Sequence, residues 1–150
     1  MDAKHMLRDL LVYHDHFNRA ILELLIAHQD RVDERAHPLF CHILNAQRIW
    51  NNRLRGKTSS SPFETFPLEN ALVVQEENHR TTLSLLGDMD PNAVISYQNT
   101  KGQSFQNTAG DILLHVCNHT THHRAQIVSM LRAADITPPV SDYIFFKRGF

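Results

Sequence analysis

Four stretches of this chain space their apolar residues three and four apart, and none carries a proline beyond its first turn. That spacing puts the apolar side chains of a helix on one face. Residues 3–28 keep it on Leu7, Leu10, His14, Phe17, Ile21, Leu24 and His28, with no Gly or Pro. A second helix is predicted from about 34 or 38 to 55, where Leu39, His42, Ile43, Ala46, Ile49, Trp50 and Leu54 form the stripe. Pro38 suits a first turn, and Gly56 is a natural stop. A third runs from about 68 to 86 on Leu68, Leu72, Gln75, His79, Thr82 and Leu86, with Gly87 as terminator. Its stripe is more polar than the others. The fourth starts at Thr108, where Thr108 and Asp111 fit a capping box, and runs to about Ala134. Leu113, Val116, Thr120, His123, Ile127, Met130 and Ala134 form its seven-residue stripe.

Four amphipathic helices bury their apolar faces against one another. The expected fold is therefore all-α: a four-helix bundle in one domain, residues 1–150. A short β-hairpin is expected near residues 93–107, where apolar and polar residues alternate on both sides of Thr-Lys-Gly. Residues 57–67 (KTSSSPFETFP) read as a loop. The tail around Asp142-Tyr-Ile-Phe-Phe is too apolar to be free and should dock on the body.

With a net charge of -1, the chain has no basic excess that would suggest a nucleic-acid partner. No apolar run approaches the roughly 18 residues of a membrane span. The N-terminus lacks the layout of a signal peptide, and Cys41 and Cys117 form no close-spaced motif. A reduced, cytoplasmic protein is the simplest reading.

Histidine is the outlier. Eleven are scattered along the chain, four of them in one run at His115, His119, His122 and His123. At about 100° per residue, His119 and His123 stand about 40° apart on one helix face, the i and i+4 spacing of helical zinc motifs. His42 holds the equivalent inward position on the second helix. A single His on an apolar face is more often a hydrogen-bonded core residue. Pairing two polar rings in a core needs a further reason. The candidate ligand set is His42, His119 and His123, and three imidazoles leave a fourth position for water, as in catalytic metal sites. His122 competes with His123 but has polar helical neighbours and reads as flanking. His115, His14 and Asn45 are candidates to line the pocket or orient a bound group. Trp50, Cys41 and Cys117 read as packing residues. No residue is assigned a catalytic role, and no nucleophile elbow, P-loop or dinucleotide fingerprint is present.

Residues 42–56 (HILNAQRIWNNRLRG) and 115–127 (HVCNHTTHHRAQI) resemble the DinB/YfiT-like superfamily. The Tyr97, Gly102 and Phe105 hairpin and the tail from Pro138 to Tyr143 resemble it too. The resemblance implies a four-helix bundle with three His ligands at one end of the core, on His42, His119 and His123. It also implies a homodimer, for which the helix-one and third-helix surfaces are the expected contact. Ala125 departs from the Gly common after His-Arg, but keeps the position small. Some relatives are thiol-dependent S-transferases using bacillithiol or mycothiol, or isomerases of maleylpyruvate type, while many have no established activity. The expectation is a metal-dependent enzyme acting on a small electrophilic molecule by thiol transfer or hydrolysis. The ion is divalent (Zn, Ni or Fe), with a low-molecular-weight thiol as possible second cofactor. The competing expectation is a non-catalytic, metal-stabilised dimer in binding or stress response.

Overall fold

A computed structural model describes residues 1–149. Four long helices, α1 (Ala3–Ala27), α2 (Ala36–Leu54), α3 (Leu68–Asp88) and α4 (Ala109–Ala133), form the expected bundle. Strands β1 (Val94–Gln98) and β2 (Ser104–Thr108) form an antiparallel hairpin between α3 and α4. A short helix, α5 (Tyr143–Arg148), ends the described chain.

Two apolar clusters fix the helix directions. One joins Leu25 of α1, Phe40 of α2, Leu68 of α3 and Leu131 of α4. The other joins Leu7, Leu54, Leu86 and Leu113 of the same helices. The start of α2 therefore meets the end of α4, so these two run antiparallel, whereas α2 and α3 run in the same direction. Two parallel helices need a connection that travels back along the bundle. Residues 55–67 make it, as a strap laid along α2.

Between the clusters lies a hydrogen-bonded polar layer. Gln47 Nε2 donates to Thr82 Oγ1, Thr82 Oγ1 donates to Asn51 Oδ1, and Asn78 Nδ2 donates to the Leu44 carbonyl. Asn18 Nδ2 donates to Gln75 Oε1, and Gln75 Nε2 donates to Asp15. All but Asp15 are buried. This explains the polar stripe of α3: Gln75, Asn78 and Thr82 face inward because each finds a partner.

One helix end moves from its sequence-based position. Gly87 does not stop α3, which runs one residue further to Asp88. Thr108 is the N-cap of α4: its hydroxyl accepts from Asp111 N, and the Asp111 carboxylate accepts from Thr108 N, closing the predicted capping box. The buried face of α4 passes through Arg124, leaving His123 half-buried at its flank.

The hairpin pairs Tyr97 with Phe105 and turns over Asn99–Gly102. Gly102 has φ +77°, which favours glycine. Tyr97 packs edge-on against Trp50 of α2, which supplies the support a lone hairpin needs. The tail docks as expected. Tyr143 and Phe146 pack on Tyr13, Lys147 pairs with Asp9, and the Tyr13 hydroxyl donates to the Ser141 carbonyl. No helix among the described residues is long and apolar enough to cross a membrane.

Arg124 lies in the core, with Nη1 donating to His14 Nδ1 and Nη2 donating to the Tyr13 hydroxyl. Burial, and then the Arg124 charge, push the His14 imidazole down from 6.5 to about 3. The folded protein therefore holds His14 neutral, whereas the unfolded chain protonates it near its ordinary value. The resulting stability is complete above the unfolded value and is lost as pH falls toward the folded one. In metal-free protein, the melting temperature of the wild type should fall more steeply than that of His14→Gln between about pH 7 and pH 4. Parallel melting curves would remove His14 from the acid response.

Candidate metal centre

The antiparallel contact of α2 with α4 brings together the first half of one and the second half of the other. His42 follows the fully buried Phe40 and Cys41 on α2, and His119 and His123 stand one turn apart on α4. Each of the three is half-buried, and their ring nitrogens lie within 4.8 Å of one another. The rings meet edge-on, with centroids 5.0 Å apart for His42 and His119, 5.0 Å for His42 and His123, and 4.5 Å for His119 and His123.

Two of the rings are held in the tautomer a ligand needs. His42 Nδ1 lies 2.9 Å from the Pro62 carbonyl and His123 Nδ1 lies 2.7 Å from Gln126 Oε1. Both partners accept only, so both Nδ1 atoms carry the proton and both Nε2 atoms present a lone pair. His42 Nε2 and His119 Nε2 are 3.2 Å apart. Two nitrogens at zinc-bond length around a tetrahedral ion would be about 3.3 Å apart. The spacing and the tautomers fit a divalent ion held by imidazoles.

Protonation does not oppose this. Burial first, then the charges of His123, His42, His115 and His122, lower His119 to about 4. Burial also lowers His123, against the bond to Gln126. Both rings are neutral at pH 7, the form that binds metal.

The strap closes one side of the cluster. Phe63 stacks on the His42 ring at 5.1 Å and 7°. Asn45 Nδ2 donates to the Glu64 carbonyl at 2.6 Å, and His37 Nε2 lies 2.7 Å from the Phe66 carbonyl. Asn45 thus anchors the strap beside the cluster.

The remaining flanking candidates divide. His115 lies beside His119, with ring centroids 5.8 Å apart, and against Trp50 at 5.1 Å. His122 touches His123 but is exposed and outside the converging group. His14 lies in the core with Arg124. Cys41 and Cys117 are free and buried, and burial raises both thiols, Cys117 to about 12. Neither belongs to the cluster.

Sequence reasoning missed the supports. A backbone carbonyl such as that of Pro62 has no residue-type signal. Gln126 did have one, since it follows His123 by three positions and shares its face.

The DinB family model matches residues 22–149 of the chain. The chain belongs to the DinB family. No curated protein matches it. Membership agrees with the bundle, the hairpin and the three-His cluster, and assigns no reaction.

Alanine at His42, His119 or His123 should each abolish stoichiometric metal, while His122→Ala should keep it. Gln126→Ala should weaken the affinity by about tenfold, through loss of ring orientation. Metal content after dialysis against a competing chelator checks both. Loss of the ion in His122→Ala with retention in His123→Ala would reverse the ligand assignment.

Proposed function

We propose that this DinB-family protein is a metal-dependent enzyme that uses a thiol or water against a small electrophilic molecule. The metal site is His42, His119 and His123. One observation carries the reading: three imidazoles converge, and among the described residues no fourth His, Cys, Asp or Glu joins them. Three protein ligands with an open position is the arrangement of catalytic rather than structural zinc. Imidazole donors suit Zn, Ni or Fe alike. A divalent ion there lowers the pKa of a thiol or water, making either nucleophilic near neutral pH.

The chain's own residues supply the setting. Pro62 and Gln126 hold two rings in position, and Phe63 shields His42 from one side. The buried thiols of Cys41 and Cys117 are not competing nucleophiles, since burial keeps them protonated. A transferred sulfur would therefore come from a separate small thiol, which favours S-transfer over a protein-thiol mechanism. Two wider features belong to the same proposal. One is a homodimer, supported by exposed Val12 and Ile26 on α1 and Leu72 and Val73 on α3. The other is a cytoplasmic setting, supported by the two free cysteines.

Cobalt substitution tests the open position. Adding a small thiol to the cobalt protein should produce a saturable sulfur-to-metal charge-transfer band that is missing in His119→Ala. An unchanged spectrum, together with a large fall in melting temperature on metal removal, would instead mark an ion that only ties α2 to α4.

A further inference from the structure

A cavity of about 390 Å³ lies where the start of the strap meets α2 and the hairpin, and none of the three imidazoles lines it. Its walls are Ile49 and Arg53 of α2, residues 56–60 of the strap, and the hairpin from Ser96 to Thr100. Its polar residues are cationic or neutral: Arg53 and Lys57, with Thr58, Ser59, Ser60, Gln98 and Thr100. Among the described residues no carboxylate lines it.

Arg53 is the informative residue. Its guanidinium lies over the Trp50 ring at 4.2 Å and near the Tyr97 ring at 5.1 Å. Attraction of the cation to a ring face does not use up its five N–H donors. Among the described residues, neither Arg53 nor Lys57 makes an ion pair or a side-chain hydrogen bond. Half-buried Arg19 and exposed Arg35, by contrast, both find carboxylates. Arg53 is half-buried, and burial lowers its pKa, yet an arginine stays charged. A partly desolvated cation with free donors beside a hydroxyl-lined cavity is the complement of an oxyanion.

We propose that Arg53 and Lys57, with the hydroxyls of Thr58, Ser59 and Ser60, form a subsite for the carboxylate or phosphate group of a small anionic molecule. The position relative to the imidazoles gives the subsite its use. Arg53 follows His42 by eleven residues, about three turns, and so shares its face of α2. Steps of 4.2 Å from the guanidinium to Trp50, 5.1 Å to His115 and 5.8 Å to His119 connect the two places, so about 15 Å is the most that separates them. A substrate or thiol anchored by its anionic end would extend past Trp50 and His115 toward the metal ligands. This second statement rests on the enzyme reading above; the anion subsite does not.

The chain's single tryptophan reports on the site, because Arg53 covers it. Metal-free protein is titrated with inorganic phosphate and with succinate at constant ionic strength, following Trp50 fluorescence and heat. A saturable change is expected with at least one probe, and Arg53→Gln should lose it. Arg53→Gln also removes the stacking, so Lys57→Ala, on the exposed strap, serves as second variant. It should raise the dissociation constant several-fold with an unchanged melting temperature. No saturable change, or equal affinity in both variants and wild type, would overturn the subsite. The link to the metal is read separately, with ω-mercaptocarboxylic acids of increasing chain length on zinc-loaded protein. Affinity should peak at one length, and the peak should vanish in Arg53→Gln and without zinc. A length profile indifferent to zinc would overturn the link.

Discussion

Because α2 and α3 run in the same direction, the chain must retrace the bundle between them, and this one topological requirement shapes everything near the imidazoles. The retracing segment passes close to α2 and is fastened there by side chains: Asn45 to Glu64, His37 to Phe66, and His42 itself to Pro62. A hairpin-length connection would have left His42 without its carbonyl partner and the α2 face open to water. The strap thus supplies a ring support, an aromatic cover and the roof of a cavity.

The polar layer in the middle of the bundle complements the strap. The bonds of Gln47 to Thr82, Thr82 to Asn51 and Asn51 to Asn78 cross between α2 and α3 and form only at one axial register. A slip of one turn, about 5.4 Å, would leave several buried polar groups unpaired. Each such group costs about 1–3 kcal/mol. Apolar clusters above and below tolerate sliding more readily than hydrogen bonds do. Register in turn decides whether the strap's anchors meet their carbonyls beside His42.

Much of this was legible in the sequence, and the limits have physical causes. Three/four spacing located the four long helices because burial of one helical face imposes it. The i, i+4 pair at His119 and His123 was legible for the same reason. Arg124 was not, because a hydropathy pattern does not anticipate a buried cation whose partners, His14 and Tyr13, come from a helix more than a hundred positions away. The inward polar face of α3 was visible only as an anomaly, since its partners lie on other helices. The strap was recognised as a loop by its Ser and Pro content. Its path was hidden, because composition does not encode whether two helices are parallel. Asn45 was singled out near the cluster, but its partner is a backbone carbonyl, which no residue type announces.

Helix α5 has no buried residue of its own, yet Tyr13 beneath it touches both the Ser141 carbonyl and Arg124. Contacts between segments so far apart in sequence are entropically expensive to close, and exposed elements with few core contacts open first. Undocking of this segment therefore lets water reach a cation and a phenol in the bundle's interior. Hydration would begin at that seam, on the α1 side, while the strap still shelters the imidazoles.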